Sequence, residues 1–201
     1  MKNLSIRTGL YILGLLILSF GISMMVIADL GAGPWDALFV GLSIQIGLTV
    51  GTWIFIVGFL LILLNAYLMK QRPDITALIT MFILGLFIDF WLLVVFPEMA
   101  IASFMLRVVM VLVGITFMGL GIAVYLPADL AKNPIDSLML AVQHRTGKSM
   151  KVSKTIIEIG ALIMAFIFSG PIGVGTLLSV FAIGPLIQMF HTPLSAKLKF
   201  S

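Results

Sequence analysis

Two stretches decide how this chain folds: Ala28-Asp29-Leu30-Gly31-Ala32-Gly33-Pro34-Trp35-Asp36 and Ala128-Asp129-Leu130-Ala131-Lys132-Asn133-Pro134-Ile135-Asp136. They stand one hundred residues apart and share Ala-Asp-Leu, the Pro and the second Asp in register. The register runs on in both directions: Arg7 meets Arg107, Gly14 meets Gly114, Gly21 meets Gly121, Leu38 meets Leu138 and Gly47 meets Gly147. A chain that matches itself at one fixed offset, with its rare polar residues among the matches, was built by duplicating a unit. The two units are residues 1–100 and 101–201.

The composition places both units in a membrane. Soluble domains are about half apolar and a quarter charged, whereas this chain is 61% hydrophobic and 10% charged. So few charges cannot cover a water-facing surface. With no Cys, disulfides, thiolate metal sites and cysteine nucleophiles are excluded. The net charge of +4 would suggest nucleic acid for a soluble protein; here topology explains it, and no nucleic-acid partner is expected.

A hydrocarbon core of ~30 Å takes about 20 helical residues to cross. Segments 8–28, 50–69, 75–96 and 104–126 are long enough, and 154–169 and 176–192 are shorter but apolar enough to count as spans. Two Pro-initiated segments, 34–46 and 134–146, are too short to cross as helices. Lys and Arg in short loops accumulate on the cytoplasmic side. With six spans and both termini inside, Arg7, Lys70, Arg72, Lys132, Arg145, Lys148, Lys151, Lys154 and Lys199 all fall inside, and Arg107 alone falls outside. A cleaved signal peptide at the N-terminus is disfavoured, because the apolar run exceeds a typical h-region and its mate lies mid-chain. The expected fold is thus an all-α protein of the bacterial cytoplasmic membrane. Three spans per unit is an odd number, so the second copy is inverted and the whole is a 3+3 inverted repeat. Arg107 is then Arg7 carried to the other face. Either it snorkels at a helix end or it makes a pair, and both arginines are expected to anchor the helices they begin.

Asn133-Pro134-Ile135-Asp136 reads as a helix start: Asn at the cap, Pro in the first turn, Asp near free N–H groups. Gly33-Pro34-Trp35-Asp36 reads the same way with Gly at the cap, and Gly47 and Gly147 suit the helix ends. Two placements compete. Either the half-helices are re-entrant, their N-termini meeting near the midplane as in inverted-repeat carriers and aquaporin-like channels, or they lie flat at the two surfaces. Apolar Ala37, Leu38, Phe39, Val40 and Leu42 make the first too greasy for a surface; Gln143, His144 and Arg145 suit the second to one.

An ionisable side chain within a bilayer marks a functional site by default. Asp29, Asp36, Asp129 and Asp136 form two matched pairs, with Trp35 and Asn133 beside them. Asp36 and Asp136 also suit capping roles, and Asp29 and Asp129 also suit wet loops. Glu158 follows Lys154 by one turn, the spacing of a surface ion pair. Asp89 and Gln188 occupy near-equivalent places in the two units and are expected as an interior polar pair or, for Asp89, a water-exposed residue. Gly170-Pro171-Ile172-Gly173-Val174-Gly175-Thr176 lacks the Lys of a phosphate loop and reads as a tight turn between the last helices. His144 and His191 are too far apart in sequence to suggest a metal, no hydrolase triad or HExxH pattern is present, and no cofactor or enzymatic activity is expected.

Ala28-Asp29-Leu30-Gly31-x-Gly33-Pro34-Trp35-Asp36, its echo Asp129-Leu130-x-x-Asn133-Pro134-x-Asp136-Ser137-Leu138-Met139, Arg145-Thr146-Gly147, Glu158, and Gly173-x-Gly175-Thr176 before Gly184-Pro185 together resemble the YczE/YyaS/YitT family of bacterial multi-pass membrane proteins, YczE-like members in particular. The resemblance covers nearly the whole chain. It departs at Ala131-Lys132-Asn133, where relatives look more like Gly-x-Gly. It implies a membrane class and a bacterial origin without naming a substrate. The expected function is a small secondary transporter or channel-like permease for a small molecule or ion, with its site between the repeats. The rivals are a non-transporting scaffold, whose half-helix tips would pack dry, and the substrate-binding subunit of an ATPase-driven importer.

Overall fold

A computed structural model describes residues 2–97, 99–131 and 133–197. Glu98, Lys132 and Lys199 lie outside the described residues. The described chain is all helical: α1 (Lys2–Ala28), α2 (Pro34–Ile46), α3 (Val50–Met69), α4 (Thr76–Asp89, continued by a wider π turn over Phe90–Val95), α5 (Phe104–Tyr125), α6 (Pro134–Thr146), α7 (Met150–Ile167) and α8 (Val174–Lys197). The expected bounds hold for α2, α3 and α6, because their ends are written locally. Thr49 caps α3 and Asn133 caps α6, each accepting a backbone N–H through its side chain, and Gly47 and Gly147 take positive φ where α2 and α6 stop.

Five helical stretches are long and apolar enough to cross a membrane: Leu4–Ala28, Val50–Met69, Thr76–Val95, Phe104–Ala128 and Val174–Leu194. The expected sixth, 154–169, is not among them. Ser149 caps α7 by accepting the N–H of Val152, so the helix starts four residues early and takes Lys151 and Lys154 into its length together with Glu158.

The core is built on α1 against α5, which run antiparallel in very close contact. Lipid is as apolar as leucine, so helices in a membrane associate through close packing of small residues rather than through expulsion of water. Gly14 faces Gly121 and the Tyr125 backbone, while Gly21 faces Gly114 and Met118. Adding one hundred to one member of each contact and subtracting it from the other turns the first contact into the second. The ends obey the same exchange. Arg7 donates to the carbonyls of Ala128 (2.7 Å) and Asp129 (3.0 Å) and stands 3.9 Å from the Asp129 carboxylate. Arg107 stands 3.3 Å from the Asp29 carboxylate and donates to the Ile101 carbonyl at 2.6 Å. Both arginines therefore pair.

Each half-helix packs across the second long helix of the other unit. Asn65 of α3 donates to the Pro134 carbonyl at 2.9 Å, and Leu138 of α6 packs with Leu61 and Ile157. On the other side Gly41 of α2 lies against Phe168 and Gly170 at the end of α7, and Ala165 stands where the first unit has Asn65. The half-helices differ in burial. Pro34 and every residue from Ala37 to Leu42 are buried, so the middle of α2 is enclosed on all sides, while its last turn, Ile44 to Ile46, is exposed. In α6 only Pro134, Leu138 and Ala141 are buried, a single stripe.

The units also differ in closure. Gly85 of α4 packs backbone to backbone on Gly51 of α3. Its counterpart Gly184 on α8 has nothing within 4 Å of where a methyl group would stand, and α7 and α8 do not form the matching close pair. Residues 30–32 dock on the 171–176 turn: Ala32 donates to the Pro171 carbonyl (2.9 Å), Gly175 donates to the Leu30 carbonyl (2.8 Å), and Gly31, at φ +108°, lies against Gly173. The corresponding region of the second unit, between Arg72, Asp74 and Pro134, holds a cleft of about 230 Å³.

Candidate functional site

The N-termini of α2 and α6 meet at one cavity of about 340 Å³. Gly33, Pro34, Trp35 and Asp36 enter it from one half-helix, and Asn133, Ile135 and Asp136 from the other. Its walls are Leu18 and Ile22 of α1, Ile54 of α3, Met81 and Leu84 of α4, Met118, Ile122 and Tyr125 of α5, and Val180, Ile183 and Ile187 of α8. Lys154, Ile157 and Glu158 of α7 close one side.

The two aspartates are placed by their helices and held by little else. Asn133 caps α6 by accepting the Ile135 N–H at 2.9 Å, and Gly33 gives α2 no side-chain cap. Asp36 and Asp136 stand in the first turns of their helices, near the free N–H groups as expected, and neither accepts a hydrogen bond among the described residues. Asp36 folds back over its own helix start. A methyl group on Gly33 would stand 2.7 Å from the Asp36 carboxylate, which is what a glycine at that position permits. Asp36 is half-buried, while Asp136 is exposed and shares the cavity lining with Lys154. Lys154 stands 3.8 Å from Glu158, the one-turn pair anticipated from spacing. The indole N–H of Trp35 is buried with no hydrogen-bond partner, and its ring lies 6.5 Å from that of Phe39.

The other acids stand elsewhere. Asp29 and Asp129 sit in left-handed turns at the ends of the α1 and α5 segments, exposed and facing the arginines, and do not line the cavity. Asp89 accepts from the Thr49 hydroxyl (2.5 Å) and the Gly51 N–H (2.8 Å), which makes it a second cap for α3. Gln188 is exposed on α8, so the expected polar pair with Asp89 is not formed. Among the described residues no group of three His, Asp or Glu side chains is arranged to hold a metal ion.

Sequence reasoning did not single out Tyr125 or Ser179, which face the cavity. Tyr125 ends α5 beside Gly14 and stacks edge-on with Tyr11 at 6.2 Å. The register sets it opposite Met25 and gives no signal for it. The 170–176 turn does more than reverse the chain, since it is the surface on which the first hairpin docks.

These features define a class: an all-helical integral membrane protein that encloses a partly charged cavity between two short helices. The chain belongs to a family of unknown function, DUF6198, whose model matches residues 5–192. It is 42% identical over 180 residues to the uncharacterized protein YyaS of Bacillus subtilis, covering 90% of each chain. It is 35% identical over 198 residues to the uncharacterized membrane protein YczE of the same organism, covering 98% of this chain and 90% of that one. An uncharacterized protein of Haemophilus influenzae is 30% identical over 174 residues, 87% of this chain and 78% of the other. No solved structure matches the chain.

Proposed function

We propose that this protein is a secondary transporter of small molecules in the bacterial cytoplasmic membrane, built as a 3+3 inverted repeat with both termini in the cytoplasm. The observation that carries the reading is the cavity: two half-helix N-termini converge on it, and the two carboxylates they deliver have no hydrogen-bond partner among the described residues. Carriers with inverted repeats bind substrate at such a junction, where irregular backbone lines a cavity rather than facing lipid. A scaffold has no need of a water-accessible site there.

The reciprocal contacts of α1 with α5 support inversion, since a twofold axis between antiparallel helices exchanges Gly14–Gly121 with Gly114–Gly21 and Arg7–Asp129 with Arg107–Asp29. Inversion requires α7 to cross as the partner of α3 despite its charges, with Lys154 and Glu158 turned to the cavity rather than to lipid. The unequal closure of the two units supports alternating access. In the positive-inside orientation, the sealed contacts, Gly51 on Gly85 and residues 30–32 on the 171–176 turn, belong to the outer side. The loose ones, around Gly184 and the cleft beside Arg72, belong to the cytoplasmic side. This is the asymmetry of an inward-facing carrier. Gly184 precedes Pro185, which leaves the Phe181 carbonyl without its helical donor and makes a bending point in α8.

Purified protein reconstituted in proteoliposomes and screened with a panel of labelled metabolites tests the reading. Saturable uptake of one class above protein-free vesicles is the expected result. Flat uptake across the panel, with the protein folded, would overturn it.

A further inference from the structure

We propose that the cavity recognises an amphiphilic organic monocation: a substituted ammonium carried on an apolar or aromatic body. The inference rests on reading the cavity as a transport site and adds the class of substrate. Charge sets the sign. Asp36 and Asp136 bring two carboxylates to the cavity, while Lys154 is already matched by Glu158. Each half-helix N-terminus contributes roughly +0.5 of an elementary charge, so with both carboxylates ionised, the state that a bound cation favours, the site keeps about one uncompensated negative charge.

The walls set the body. Leu18, Ile22, Met81, Leu84, Met118 and Ile183 offer nothing to a hydrated inorganic ion, and the described residues hold no cluster of three acidic or histidine ligands for a bare one. They do suit a hydrocarbon frame, and about 340 Å³ is the size of a small-molecule pocket. Trp35 and Phe39 present neighbouring rings beside half-buried Asp36, and a cation attracted to both a ring and a carboxylate gains twice over. A lipid amine headgroup would bring its phosphate into a site of the same sign. A free cation therefore fits better.

The test is isothermal titration calorimetry of the full chain in non-ionic detergent with three probes on one benzyl frame: benzyltrimethylammonium, its uncharged carbon isostere neopentylbenzene, and the anion phenylmethanesulfonate. Saturable binding of the ammonium alone is expected, with Asp36→Asn weakening it by at least about tenfold and Arg107→Gln, outside the cavity, leaving it unchanged. Equal binding of the isostere or the sulfonate would overturn the proposal, as would full affinity in folded Asp36→Asn. Should that variant fail to fold, the three probes on the native chain decide alone. Labelled benzyltrimethylammonium in proteoliposomes separates the two readings. Binding without uptake overturns transport and supports cation recognition, whereas uptake of another class without ammonium binding overturns this inference and leaves transport standing.

Discussion

Replacing Gly14 by Ala tests the α1–α5 spine that relates the two units. The new methyl group would stand 2.5 Å from the Tyr125 nitrogen and 2.8 Å from the Gly121 carbonyl oxygen, where ordinary contact begins at 3.4 Å. Both obstacles are backbone, so no rotamer change relieves them, and the helices must part by up to about 0.9 Å. A gap of that size forfeits a quarter to a half of each dispersion contact along the seam, and overpacking of this kind costs about 1–3 kcal/mol. Alanine returns up to about 1 kcal/mol through helix propensity, leaving a net loss of roughly 1–2 kcal/mol. Gly9, one and a half turns earlier on the same helix, has nothing within 4 Å. Gly9→Ala collects the propensity gain alone and should be neutral or stabilised by up to about 1 kcal/mol. Titration with sodium dodecyl sulfate in mixed micelles, followed by circular dichroism, measures the difference between the two variants. Gly114→Ala, which meets the Gly21 carbonyl oxygen at 2.8 Å, should behave like Gly14→Ala. Equal stability of Gly14→Ala and Gly9→Ala would refute the close antiparallel seam.

Three further outcomes follow from the same structure. Single cysteines are free to introduce, since the chain has none: at Ser149 one should react with an impermeant maleimide only from the cytoplasm and at Ile172 only from outside, and external labelling at 149 would sink the six-span topology. Asp36→Asn and Asp136→Asn should impair uptake unequally, with half-buried Asp36 the worse, while melting temperatures in detergent stay near the native value because neither carboxylate accepts a hydrogen bond among the described residues; native uptake by both variants would remove the aspartates from the site. Asp89→Ala should lower stability by about 1 kcal/mol without changing substrate affinity, because Asp89 holds the Thr49 hydroxyl and the Gly51 N–H and stands outside the cavity; a changed affinity at unchanged stability would return it to the site.

The half-helices were legible because everything that starts and stops them is local. Asn133, Pro134 and Gly147 act within a few residues, and α6 has the bounds read from them. The start of α7 was misplaced for a related reason: Ser149 caps it through Val152, but Lys151 reads as a loop charge and Lys154 as the first helical residue, whereas the helix takes in both and carries Lys154 to a cavity wall. Four aspartates at matching places in the hundred-residue register looked equivalent. Distance separated them, since Asp29 and Asp129 end helices opposite the arginines while Asp36 and Asp136 open helices that point inward.

By itself, the sequence determined the membrane class, the internal match at an offset of one hundred residues, the helix bounds set by local caps, and the family. Each follows from composition or from interactions between residues a few positions apart. Only the tertiary structure decided that Arg7 pairs with Asp129 across 122 residues, that the middle of α2 is enclosed while α6 shows one buried stripe, and that Trp35, Asp36, Asp136 and Lys154 share one cavity. The closure at Gly85 and the looseness at Gly184 belong there too, because the two are the same residue type in matching places. What differs is the surface opposite each: Gly51 lets two backbones touch at Gly85, whereas nothing stands within 4 Å of where a methyl group on Gly184 would be, and the residue at the place of Gly51 is Lys151.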